Sequence, residues 1–156
     1  MQKSHVSRSV VNWFLIVLLF FLGIGGIISG AMLFLSPQGK LLGMSTDLLK
    51  GSPFPDFLIP GIILFLFVGV FQTFVAYGLL TRSVWKGPDI INPVKKYHWA
   101  WTASWAAGAI MLVWITVETA LLGYVSALQP IIAIWGLVLI GLTLLPSVRR
   151  YYLRPA

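Results

Sequence analysis

The chain has 156 residues and a net charge of +7; it is 58% hydrophobic and only 10% charged, with a mean hydropathy of +0.91. An ordinary soluble domain is about 45–50% apolar and about 25% charged. The composition therefore excludes a disordered chain, argues against a soluble globular domain, and points to a polytopic membrane protein.

The counts also exclude several chemistries. There is no cysteine, so disulfides, thiolate nucleophiles and iron–sulfur clusters are out of reach. His5 and His98 are the two histidines, too few for a di-iron or multi-haem membrane enzyme. The four acidic residues, Asp47, Asp56, Asp89 and Glu118, are too scattered for a paired-carboxylate site. No dinucleotide, phosphate-loop, zinc-protease or nucleophile-elbow motif occurs. No catalytic residue, metal or cofactor is expected.

Along the chain, Trp13–Leu35 is the first run long enough to span a bilayer, at about 20 apolar residues per span. Lys3 and Arg8 precede it, and Ser29-Gly30-Ala31 has a faint small-x-small look. The run is far longer than a secretory h-region of roughly 7–15 residues, so a retained helix is expected. Phe57–Leu80, Trp99–Leu122 and Ala127–Leu145 complete the set. Continuous apolar runs of this kind are helices rather than barrel strands. The expected fold is all-α, a four-transmembrane-helix bundle forming a single membrane domain over 1–156. An outer loop spans 36–56 and a cytoplasmic loop spans 81–98.

Lys and Arg set the orientation. The two tails and the second loop hold nine of them: Lys3, Arg8, Arg82, Lys86, Lys95, Lys96, Arg149, Arg150 and Arg154. The first loop holds only Lys40 and Lys50. The positive-inside rule then places both termini in the cytoplasm of a multi-pass inner-membrane protein. The net charge is mainly a topology signal, with a secondary affinity for anionic headgroups, and no nucleic-acid partner is needed. The same bias sets the chain apart from small four-helix multidrug exporters, some of which insert both ways. Trp13, Trp85, Tyr97, Trp99, Trp101, Tyr151 and Tyr152 read as an inner aromatic belt, with Tyr124 at the outer interface. His98 reads as an interfacial histidine.

In the outer loop, Ser36-Pro37-Gln38-Gly39 predicts a turn. Ser45-Thr46-Asp47 followed by Leu48, Leu49, Lys50 and Gly51 predicts one capped helical turn, its leucines dipping into the interface. Asp56 stands where the N-cap of the second helix belongs. The loop reads as a re-entry device or, alternatively, a ligand lid.

Leu41-Leu42-Gly43, Leu48-Leu49-Lys50-Gly51-Ser52-Pro53-Phe54 and Asp56-Phe57-Leu58-Ile59-Pro60-Gly61 resemble a pattern in small bacterial integral membrane proteins. Their last hairpin is similar to Leu128-Gln129-Pro130-Ile131-Ile132 and the apolar run after it. The resemblance covers most of the chain and implies a bacterial four-helix membrane protein. It carries no activity and no site residue.

Small residues mark helix-packing faces. Gly23, Gly26 and Gly30 share one face of the first helix. Ala100, Ser104, Ala107, Met111 and Glu118 share a stripe on the third. Contact between these two faces would bring Glu118 beside Gly30 and Ser29. The same faces serve either internal packing or a homodimer. Glu118 is the single charge inside a span, where a carboxylate is costly. With Ser29, Thr119 and Gln129 at similar depth, and Asp56 above, it defines a candidate outward-facing polar pocket. A hydrogen-bonded or loop-paired Glu118, a subunit contact, and a ligand or proton site are the alternatives. Gln72, on a stripe with Gly61, Gly69 and Ala76, is expected to bond between helices.

Two functions follow. The leading one is a non-catalytic accessory or scaffold subunit acting through helix–helix contacts. The other is a carrier or enzyme for lipids or small molecules, built around the pocket at Glu118. Expected partners are membrane lipids and either a membrane-protein partner or a second copy of the chain.

Overall fold

A computed structural model describes residues 7–155, so Lys3 and His5 lie outside the described residues. Six helices follow one another: α1 (Val10–Leu35), α2 (Leu58–Thr81), α3 (Lys86–Ile91), α4 (Trp99–Leu122), α5 (Leu128–Leu144) and α6 (Pro146–Tyr151). Among the described residues there is no strand, only an isolated antiparallel bridge between Tyr97 and Leu153. α1, α2 and α4 are long and apolar enough to cross a membrane. α5 has 17 residues. At 1.5 Å per residue that is about 25 Å, short of a bilayer core of about 30 Å. The sequence run Ala127–Leu145 loses its ends to a turn on one side and to the stop at Pro146 on the other.

Local chemistry fixes the boundaries. Ser9 caps α1, its hydroxyl accepting the Asn12 N–H at 3.3 Å. The turn at 36–39 forms as expected, the Gly39 N–H donating to the Ser36 carbonyl at 2.8 Å. Thr46–Leu49 makes one 3₁₀ turn capped by Ser45. Asp56 Oδ1 accepts the Leu58 N–H at 3.0 Å, but the N-cap of α2 is Phe57, one residue later than expected. Leu64–Val70, in the middle of α2, is π-helical.

The long helices pack as two antiparallel hairpins, α1 with α2 and α4 with α5. Here the structure corrects an expectation. The Gly23, Gly26, Gly30 face meets α2, not the third long helix. A Cβ on Gly26 would lie 2.7 Å from the Gly69 backbone nitrogen, and one on Gly30 would lie 2.5 Å from that of Phe65. Glycines on both sides let two backbones touch, and α2 supplies its own at Gly61 and Gly69. With these faces closed inside the chain, they are not open to a homodimer. α4 and α5 repeat the device through Gly108 and Gly136. Between them Ser104 and Thr143 hydroxyls meet at 3.2 Å, and Ala107 is fully buried.

The hairpins join most closely at the termini end, where α1 begins and α6 ends and Gly78 of α2 abuts Trp99 and Ala100. Leu15, Leu19, Val75, Leu79, Met111 and Leu139 form the main core. At the opposite, loop end, Leu33, Leu49 and Phe57 form a second small core with Leu122 against it. Leu49 thus dips into the protein rather than into lipid. The expected aromatic belt is corrected likewise. Tyr97, Trp99, Trp101 and Tyr152 are all buried, while Trp13 is half exposed. Trp85 and Trp99 stack at 5.7 Å, and the Tyr97 and Trp101 rings meet tilted at 4.2 Å. These rings seal one end of the bundle instead of ringing it.

Candidate functional site

At the loop end, the structure brings together three of the five residues proposed as a pocket. Glu118 is half-buried on α4, with the Trp114 indole and the Gln129 amide facing its carboxyl. Gln129 is buried at the start of α5. Its Oε1 accepts the Val125 N–H at 2.8 Å, and its Nε2 donates to the Gly123 carbonyl at 3.0 Å. One side chain therefore closes the tight connection between α4 and α5. Thr119 faces outward beside it.

Ser29 and Asp56 do not join them. The Ser29 hydroxyl donates to Gly25 O of its own helix at 2.7 Å, and the Asp56 carboxylate accepts the Leu58 N–H just ahead of α2. Ser29 depended on contact between α1 and the third long helix, which α2 pre-empts. The loop cations do not neutralise Glu118 either. Lys50 pairs with Asp47 at 2.8 Å, both well exposed, and holds the Asp47 carboxyl below its ordinary value. An exposed pair of this kind contributes little stability.

Next to Thr119 and Gln129 lies a groove of about 520 Å³ between α4 and α5. Ile115, Ala120, Pro130 and Ala133 give it apolar walls, and Thr119, Tyr124 and Gln129 line it towards the loop end. This concavity is not visible in the sequence, because it depends on how far the two helices diverge. Among the described residues, no three His, Asp or Glu side chains cluster as a metal site.

Gln72 is fully buried, and its amide atoms have no protein partner, so the expected interhelical bond is not formed. Asn12, unremarked in the sequence, is equally buried and equally unpartnered. A polar residue one turn inside an apolar helix was the available signal.

The termini end carries a second constellation, whose members the sequence offered only separately, as topology charges, belt aromatics and an interfacial histidine. Arg8 Nη2 donates to the Leu80 carbonyl at 2.7 Å, and the Tyr152 hydroxyl donates to the Leu79 carbonyl at 2.9 Å. Both satisfy last-turn carbonyls of α2. Burial pushes the Tyr152 phenol well above its ordinary pKa. His98 is buried rather than interfacial. Its Nδ1 accepts the Ala100 N–H at 3.2 Å, so its Nε2–H donates to the Ser83 carbonyl at 3.1 Å. Those roles need the neutral ring, and burial lowers its pKa accordingly. The His98 N–H also donates to the Tyr152 carbonyl, and the Arg154 N–H to the Lys96 carbonyl. An ion pair between Asp89 of α3 and Arg154 completes the cap and holds the Asp89 carboxyl below its ordinary value.

Comparisons of the chain with family models, curated proteins and solved structures return no match.

Proposed function

We propose that the chain is a small bacterial multi-pass protein of the cytoplasmic membrane, with four helices crossing it and both termini inside. Within it, the α4–α5 groove binds the apolar part of a lipid or another amphiphile. The groove carries this reading. It is about 520 Å³, apolar along its walls, and lined by Thr119, Tyr124 and Gln129 at the loop end. Sites for small amphiphiles combine such walls with a few placed polar groups. Glu118 does not line the groove, and the polar end is fixed by the bonds of Gln129 to Val125 and Gly123.

The accessory-subunit reading relied on Gly23, Gly26, Gly30 and Ala107 as contact faces. Those faces are closed within the chain, so a partner would dock on the remaining lipid-facing side chains, such as Phe14, Val17 and Phe21 of α1, all more than half exposed.

Native mass spectrometry of the protein, extracted in mild detergent, separates the two. A monomer retaining a discrete amphiphile, lost in Ala133→Trp because the indole fills the groove, is the expected result. A complex with a defined second protein and no retained amphiphile would overturn the groove reading in favour of the accessory subunit.

A further inference from the structure

The termini end holds a recess of about 190 Å³ lined by Lys96, Tyr97, Pro146, Arg149, Arg150 and Leu153. Its cations come from segments about fifty residues apart in sequence. The Tyr97–Leu153 bridge and the Arg154-to-Lys96 backbone bond at 3.0 Å hold them side by side. Arg149 Nη2 donates to the Tyr97 hydroxyl oxygen at 3.0 Å, and its guanidinium lies 5.7 Å from the centre of the Tyr97 ring. The phenol accepts there, so its own O–H is free to donate. Among the described residues, no carboxylate pairs with Lys96, Arg149 or Arg150. The nearby acid, Asp89, is taken by Arg154. Every polar side chain lining the recess is thus a donor, three of them cationic. Exposed Leu144, Leu145 and Leu153 lie in or next to the segments that form it.

We propose that this recess is a phosphate-binding site, distinct from the α4–α5 groove, that takes the phosphate of an anionic lipid headgroup or of a free phosphate compound. Convergent guanidinium and ammonium groups match phosphate oxygens in charge and hydrogen-bonding sense. The apolar neighbours place the site where a headgroup meets its acyl chains.

The test is native mass spectrometry of the full chain in maltoside micelles, titrated with phosphatidylglycerol and, separately, with inorganic phosphate. The variants are Lys96→Gln and Arg150→Gln, neither of which removes a hydrogen bond of the fold, with Lys86→Gln as a cation outside the recess. Affinity should fall roughly fivefold for each recess cation removed and stay unchanged in Lys86→Gln. Lipid binding that inorganic phosphate does not displace identifies a headgroup as the source. Displacement by inorganic phosphate identifies a free phosphate compound, and either outcome supports the site. Equal losses in all three variants would show diffuse surface charge and overturn the proposal. Failure of both probes to bind the unaltered protein would overturn it as well. Retention of binding in Ala133→Trp keeps this site independent of the groove.

Discussion

A single methyl group separates close packing from clash where α1 crosses α2. Gly26 meets the Gly69 backbone, which cannot move aside, whereas the neighbouring Gly25 has open space around its missing Cβ. Gly26→Ala should therefore destabilise the folded protein by about 1–3 kcal/mol, the usual range for overpacking. Gly25→Ala should be neutral or slightly stabilising, because alanine is the better helix former. Reversible unfolding in mixed micelles measures both. An equal effect of the two would contradict the packing of α1 on α2. The sequence marked Gly23, Gly26 and Gly30 as a face but not its partner. Small-residue spacing is the same whichever helix it fits.

At the scale of elements, the termini-end cap shows how short segments gain order. α3 and α6 have six residues each, too short to persist alone. They are tied down by Arg8, His98, Tyr152 and the Asp89–Arg154 pair. His98 makes this cap pH-sensitive. Burial first, then the Arg154 and Arg82 charges, lowers its pKa below the ordinary 6.5. The unfolded chain therefore binds a proton more readily than the folded one, and the stabilisation is fully present above pH 6.5. It is lost as the pH falls through the lowered folded value, because a protonated Nδ1 no longer accepts the Ala100 N–H. Thermal unfolding followed by tryptophan fluorescence should show the midpoint falling on acidification below 6.5. His98→Asn, which keeps a capping oxygen, should remove most of that step. An unchanged step in the variant would place the titration elsewhere.

At the scale of the whole molecule, the charge bias makes a prediction that the natural absence of cysteine renders easy to check. Gln38→Cys in intact spheroplasts should react with a membrane-impermeant maleimide. Ser147→Cys should react only after the membrane is opened. The reverse pattern would invert the proposed orientation, and reaction of both in intact cells would place them on one side. The second outcome would count against α5 as a span, whose length is the weakest of the four.

The sequence by itself determined the helical class, the apolar runs and their approximate limits, the turn at 36–39, the Ser45 cap, and an Asp56 carboxylate close to the start of α2. These depend on composition and on hydrogen bonds between near neighbours, which a linear pattern records. It also placed Gln129 close to Glu118 and its chain neighbour Thr119, because a short connection forces α4 and α5 together. Only the tertiary structure decided which helix meets the glycine face, and hence that Ser29 and Asp56 stay apart from Glu118. It alone turned the belt aromatics into a buried seal and brought Lys96 to Arg149 and Arg150. Those outcomes follow from backbone approach and from contacts between distant segments. Each is set by the mutual fit of two surfaces, and neither surface alone encodes its partner.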